Sequence, residues 1–228
     1  MRMGDRMSAS LAKQITQLTE FKPTVFVIAL NAENLLAQHK STFEQAPYKS
    51  LPMTPVIYVL PEAAHNRSGS MVTVPADKTT LRVEPHLGVV FNATVCRVTV
   101  ENAMSYVAGY IPVALYSLPH DSYYRPDIEG RCQESFCVLG QQVNRLAVAS
   151  PDVVKVEVSV NRQVSKCYTQ PKMQRSIAEL ISFLSQFIPF KRGDILLTGT
   201  DSNPILVERG DNVEVSFVGL GSLSNQIN

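Results

Sequence analysis

A chain of 228 residues with 45% hydrophobic and 18% charged side chains is composed like a folded globular protein and is too apolar to stay disordered. Twenty-one basic against twenty acidic residues leave a net charge of +1 with no basic stripe, which excludes an electrostatic nucleic-acid surface. No apolar run approaches the roughly 20 residues of a membrane span, nothing at the N-terminus reads as a signal peptide, and Cys96, Cys132, Cys137 and Cys167 lack C-x-x-C spacing, so a cytoplasmic protein with reduced thiols and no membrane partner is expected.

Met1 to Lys22 mixes Met, Ser, Gln and charge, with one short helical stretch from Ser8 to Leu18, and reads as an arm (residues 1–23) ahead of one domain (residues 24–228). Thr24 to Leu30 is a β-branched run and predicts a strand. Asn31 is placed to cap a helix over Ala32 to Phe43, which would set Leu35, Leu36, His39 and Phe43 on one face. A Pro-bounded strand from Pro52 to Leu60 follows, then a loop from Pro61 to Ser70 and a strand near Met71 to Val74. His65, Asn66 and Arg67 on that loop are open to two readings, as solvated residues or as substrate contacts.

Leu87 to Phe91 predicts a buried strand, and Glu84 and His86 stand just before it, two residues apart and therefore on one face of an extended backbone. They form a candidate pair of ligands. Thr99 can cap a short helix from Val100 to Met104, after which Tyr106 to Tyr110 returns toward the pair. Ser117 to Pro126 is dense in Pro, Ser and Tyr and predicts a loop. There Arg125, flanked by Tyr124 and Pro126, suits a carboxylate through its planar fork, or else pairs with Asp127 or Glu129. His120 and Asp121 would reach Glu84 only if the loop folds back.

Val153 to Val160 alternates as a half-exposed strand, and Asn161 to Gln163 makes the turn after it. Ile177, Leu180, Ile181, Leu184 and Ile188 recur at helical spacing and predict a core-facing helix stopped by Pro189. Asp194 to Gly199 reads as a strand, Gly210–Asp211 as a turn, and Asn212 to Phe217 as the final strand.

The blocks Glu84-Pro-His86-Leu-Gly88, Tyr106-Val-Ala-Gly-Tyr110, Ala114-Leu115-Tyr-Ser117, Arg131 to Gly140 and Gly193-Asp194-Ile-Leu-Leu-Thr-Gly-Thr200 together resemble the fumarylacetoacetate hydrolase (FAH) family, from about Phe26 onward. The resemblance implies an α+β, mostly β fold: the family's mixed β-sandwich roll with a few short helices. It also implies magnesium or manganese held by two glutamates and an aspartate. Position by position those become Glu84, His86 and Leu115, so Glu84 and His86 are the metal-ligand candidates. Leu115 and His86 replace acidic ligands, and a hard divalent ion that wants six oxygens loses most of its hold. The family's acid/base pair on the first helix falls on Leu35 and Gln38, neither of which titrates, with His39 one position further as the only substitute. Arg131 stands at a substrate-contacting lysine, open to substrate binding or to an ordinary ion pair, and Thr198 and Thr200 stand in the segment that lines the substrate site. The resemblance thus assigns Arg131 and Thr200 as catalytic, and Thr198 beside Tyr124 and Arg125 as substrate-binding.

Within the family, S-L-P-x-D-S-Y-Y-R-P followed by C-x-x-x-F-C is similar to the decarboxylase/isomerases of homoprotocatechuate (4-hydroxyphenylacetate) catabolism, in their N-terminal half or separate first subunit. The function implied is a lyase or isomerase acting on dicarboxylate oxo- or hydroxy-dienoates, as a homodimer or as a heterodimer with an FAH-family paralogue. Two alternatives stand beside it: a catalytically degraded subunit that pairs with a metal-bearing paralogue, and a small-acid binding protein.

Overall fold

The computed structural model describes residues 22–120, 122–123 and 127–228. The helix expected at Ser8–Leu18 lies outside these residues, as do Asp121, Tyr124 and Arg125. Strand β1 (Val25–Ala29) leads into helix α1 (Glu33–Phe43), and β2 (Val56–Leu60) returns antiparallel to β1. Short strands β3 (His65–Arg67) and β4 (Met71–Val72) precede the long β5 (Thr80–Phe91). A one-turn helix, α2 (Val100–Ala103), opens the connection to β6 (Val107–Ser117), which pairs antiparallel along β5. Next come α3 (Ile128–Arg131), β7 (Cys137–Leu139), β8 (Val143–Asn144), β9 (Lys155–Val160) and β10 (Gln163–Thr169). The chain closes with α4 (Ile177–Leu184), β11 (Ile195–Leu197), β12 (Ile205–Glu208), β13 (Asn212–Phe217) and β14 (Gly221–Ile227).

The strands make two sheets. The larger runs β2-β1-β11-β5-β6-β7-β3, with β12 added to β5 and β8 to β6; the smaller runs β10-β9-β13-β14-β4. The pleat of β5 explains how they meet. Its odd residues Leu81, Val83, Leu87, Val89 and Phe91 enter the main core, which also takes Val156 and Val158 of β9, Val213, Val215 and Phe217 of β13, and the apolar stripe of α4. Its even residues Arg82, Glu84, His86, Gly88 and Val90 share the opposite face. There Val90 joins a second apolar cluster with Val27, Val113, Leu115 and Leu197. The polar members of that face are what the fold presents to a site. The architecture is mostly β with few helices, as expected.

Several elements depart from expectation. β5 begins at Thr80, so Glu84 and His86 lie within the strand and not ahead of it; Pro85, which cannot donate to a ladder, had masked its continuity. Asn31 does not cap α1. Ala32 holds that position without a side-chain bond, while Asn31 Nδ2 donates to the carbonyls of Arg175 and Thr198 and its Oδ1 accepts from Arg175 N–H. His65 to Arg67 is a strand paired parallel with β7 and not a loop. α4 starts with a Ser176–Glu179 capping box but ends at Leu184, short of Pro189. Asn212–Phe217 is not the last strand: β14 follows, its alternation disguised by the outward Ser222, Ser224 and Gln226.

Candidate functional site

The site lies on the second face of the large sheet, where α1, the segment after β6, α3 and the segment after β11 converge on Glu84. Arg131, brought in by the last turn of α3, places Nη1 2.9 Å from Glu84 Oε2 and 3.2 Å from the Tyr58 hydroxyl, and its guanidinium lies 5.8 Å from the centre of the Tyr58 ring. Both partners of the ion pair are largely buried. Burial is the largest single influence on the Glu84 carboxyl and pushes it up, but the Arg131 guanidinium beside it, together with His86 and His120, holds it below the ordinary carboxylate range. Burial opposes the charge of Arg131 as well, and Glu84 overcomes it, so Arg131 stays charged.

His120 belongs to the same constellation, because the loop after β6 does fold back. Its Nε2 is 3.2 Å from Arg131 Nη2, and its Nδ1 faces Arg82 Nη1 at 3.2 Å, the Leu118 carbonyl at 3.4 Å and Asp127 Oδ2 at 3.8 Å. A neutral imidazole has one acceptor nitrogen, and guanidinium groups only donate. Arg82 Nη1 donates to the His120 carbonyl at 2.6 Å, so the assignment that satisfies every group has Nε2 accepting from Arg131 and Nδ1–H turned to Leu118 and Asp127. Burial first, and then the Arg131 charge, lowers the pKa of His120 and keeps it neutral.

His86 lies deeper, 3% exposed, with neither ring nitrogen hydrogen-bonded among the described residues. Burial pushes it down to about 4. It borders a small void of about 30 Å³ together with Glu84, Tyr58, Arg131 and Thr200. Above the void lie two larger cavities that share His120 and Tyr123. One, about 300 Å³, is lined by His39, Gln38, Arg82, Glu84 and Thr200 among others; the other, about 280 Å³, by Tyr58, Ile128 and Arg131. Both are at or just below the lower end of small-molecule pocket sizes. Asp201 buttresses the first: Asn34 of α1 and Lys166 of β10 both donate to its carboxylate, tying the helix and the segment after β11 to the smaller sheet.

The structure therefore brings Glu84, His86, Arg131 and Thr200 together. The Thr200 hydroxyl donates to the Pro85 carbonyl at 2.7 Å at the cavity wall. Thr198 is placed differently: it is buried, and its hydroxyl donates to the Leu87 carbonyl at 3.3 Å, which ties the end of β11 to β5. Tyr124 and Arg125 lie outside the described residues. Arg131 is not a surface ion pair, since its partner is the site glutamate. Sequence reasoning missed Arg82, although its period-two spacing with Glu84 and His86 puts all three on one face. It also missed Tyr58, which carries no local signal.

A hard divalent ion does not fit these residues. Glu84 and Leu115 are cross-strand partners, so the position facing the carboxylate offers methyl groups, and Glu84 Oε2 is already engaged by Arg131. Among the described residues no three His, Cys, Asp or Glu side chains are grouped to hold a metal. No helix among them is long and apolar enough to cross a membrane.

Comparison with known proteins gives this geometry a context. A family model described as fumarylacetoacetate (FAA) hydrolase C-terminal matches residues 24–228. The 4-hydroxyphenylacetate degradation bifunctional isomerase/decarboxylase of Escherichia coli is 31% identical over 206 residues, covering 90% of this chain and 47% of that protein. The chain thus spans about half the length of the curated relatives of this kind that it matches. Among solved structures, the 5-carboxymethyl-2-hydroxymuconate delta-isomerase of Mycobacterium smegmatis aligns with a TM-score of 0.73 at 23% identity, over 90% of this chain and 78% of that one. The fumarylpyruvate hydrolase of Pseudomonas aeruginosa, solved with Mn2+ and pyruvate, aligns with a TM-score of 0.76 at 20% identity, over 90% and 89%.

Proposed function

Because the chain belongs to the fumarylacetoacetate hydrolase family, we propose that it is one unit of an isomerase/decarboxylase of 4-hydroxyphenylacetate (homoprotocatechuate) catabolism, acting on dicarboxylate oxo- or hydroxy-dienoates in the cytoplasm. The likeness to bifunctional isomerase/decarboxylases over 90% of the chain supports the reaction class. The observation that carries the site reading is Arg131 seated on Glu84 with Leu115 across from it. A fixed guanidinium occupies the carboxylate that a metal would need, so the pocket recognises its substrate by charge without a metal of its own.

In this reading residues 24–228 are the working domain and residues 1–23 an arm. Arg131 and Arg82, one at each larger cavity, take the two carboxylates of the substrate, since planar guanidinium forks suit that geometry. Glu84 orients Arg131, neutral His120 spaces the two arginines, and Thr200 fixes the wall. Tyr124 and Arg125, which stand between His120 and Asp127 in the sequence, are further substrate contacts. Thr198, committed to the Leu87 carbonyl, supports the wall from behind. The magnesium or manganese of the reaction belongs to a second, metal-bearing FAH-family unit with which this chain dimerises.

The test uses the full chain in EDTA with 2-hydroxyhepta-2,4-diene-1,7-dioate as probe. Calorimetry is expected to show binding that is lost in Arg131→Met, and absorbance to show isomerisation. Release of carbon dioxide from a tricarboxylate precursor is expected only after mixing with a metal-bearing FAH-family unit and Mn2+. Failure of the chain to bind the probe, alone or mixed, would overturn the reading.

A further inference from the structure

The two larger cavities meet at His120 and Tyr123, and Tyr123 also borders the small void beside Glu84 and His86. A substrate with one carboxylate on Arg82 in the first cavity and the other on Arg131 in the second must pass this shared wall. His120 has little to offer it, since its Nε2 accepts from Arg131 and its Nδ1–H is turned to Leu118 and Asp127. Tyr123 differs: its backbone N–H donates to the Tyr48 hydroxyl at 2.8 Å, and its own hydroxyl makes no hydrogen bond among the described residues.

Several contacts hold the ring of Tyr123 in place. It packs edge-on against His39 with centroids 5.0 Å apart and against His120 at 5.6 Å, and lies tilted to Phe43 at 6.2 Å. It also packs against the apolar cluster of Leu30, Ala32, Leu35 and Leu36. A ring fixed by these contacts and by its backbone bond carries its hydroxyl to one place, which is the condition for a preorganised donor. Burial first, and then the charge of Glu84, raises the pKa of this phenol against the opposing pull of Arg131 and Arg82. The hydroxyl therefore lies in the field of the charged groups that line the cavities, and it keeps its proton at neutral pH.

Building on the proposed substrate class, we infer that the Tyr123 hydroxyl donates a hydrogen bond to the 2-oxygen of the bound dienedioate and stabilises the charge that develops there. Loss of the enol proton to water leaves a dienolate with its negative charge on the 2-oxygen. Return of a proton from the solvent to C5 gives the 2-oxo product, with the double bonds shifted by one position. Tyr123 keeps its own proton throughout. A donor aimed at that oxygen favours the dienolate over the neutral enol, so it raises turnover more than affinity. The two arginines fix the ends of the substrate, and Tyr123 acts on the reacting oxygen between them.

The experiment compares the parent chain with Tyr123→Phe in EDTA, because phenylalanine keeps the ring contacts and removes only the hydroxyl. Conversion of 2-hydroxyhepta-2,4-diene-1,7-dioate is followed by loss of dienol absorbance. Calorimetry follows binding of the same probe and of hepta-2,4-diene-1,7-dioate, which lacks the 2-oxygen. Tyr123→Phe is expected to lose about 100-fold in kcat with KM changed less than about threefold, and to bind the analogue as the parent does. A loss in kcat of less than about tenfold, or an affinity for the analogue that falls as steeply as kcat, overturns the role of Tyr123 and leaves the proposed function standing. A parent chain that binds the probe without converting it also overturns that role alone, and one that does not bind the probe overturns both.

Discussion

Leu115 lies directly across from Glu84 in the register of β5 and β6, 0% exposed within an apolar cluster. Cross-strand partners hold their Cβ atoms about 5 Å apart on one face, close enough for two carboxylates to share an ion. Leu115→Asp combined with His86→Glu is therefore expected to create measurable Mn2+ binding by calorimetry or electron paramagnetic resonance where the parent shows almost none. Without metal the same protein should be destabilised by several kcal/mol, because three carboxylates would crowd a buried face. Absence of any gain in Mn2+ binding would show that Glu84, His86 and Leu115 do not occupy the three ligand positions.

Arg131 is expected to matter first for stability. Arg131→Met removes the cation bonded to a buried carboxylate, which should cost about 3–5 kcal/mol in urea unfolding at pH 7. Arg131→Met with Glu84→Gln should recover most of that loss, since the orphaned charge is gone, yet should bind no dicarboxylate. Equal stability of the single and double variants would mean that an orphaned Glu84 charge is not the source of the loss.

The same buried groups set a response to acid. The unfolded chain binds a proton at His86 near 6.5, the folded chain only near 4, so stability falls as pH drops between these values, by up to about 3 kcal/mol. Glu84 acts with the same sign in a lower window: its contribution is complete above the ordinary carboxylate value and is lost as pH falls through its depressed folded value. His86→Leu should flatten the limb between pH 6.5 and 4 in a series of urea titrations and leave the lower limb in place. An unchanged upper limb would show that His86 is not the proton acceptor responsible.

How far the sequence disclosed this arrangement depended on the range of the interactions. Strands with clean alternation, such as Lys155–Val160, and the stripe of α4 were legible because their periodicity reflects the face they bury. That Glu84 and His86 share one face was legible from their spacing of two residues. What stayed hidden was set by contacts across long separations. Asn31 looks like a helix cap but bonds Arg175 and Thr198, more than 140 positions away. Arg131 meets Glu84 across 47 positions, and local sequence does not say whether an arginine will find a surface carboxylate or a buried one.

Two glycines of the site strands should fail in different ways when given a methyl group. A Cβ on Gly88 would stand 2.5 Å from Ile111 Cγ2, with Ile195 and Leu197 also close, so Gly88→Ala must be absorbed inside the second apolar cluster at the centre of the large sheet. Overpacking of that kind costs about 1–3 kcal/mol and should appear as a global loss in urea unfolding. A Cβ on Gly109 would stand 2.1 Å from the Val143 carbonyl, a backbone atom that cannot rotate away. Yet β8 is only two residues long and, among the described residues, pairs with β6 alone. Gly109→Ala is therefore expected to release β8 by local opening, with faster amide exchange around Gly109–Tyr110 and Val143–Asn144, and a smaller global loss than Gly88→Ala. The reverse ranking in the two measurements would mean that β8 is an integral part of the sheet that carries the site.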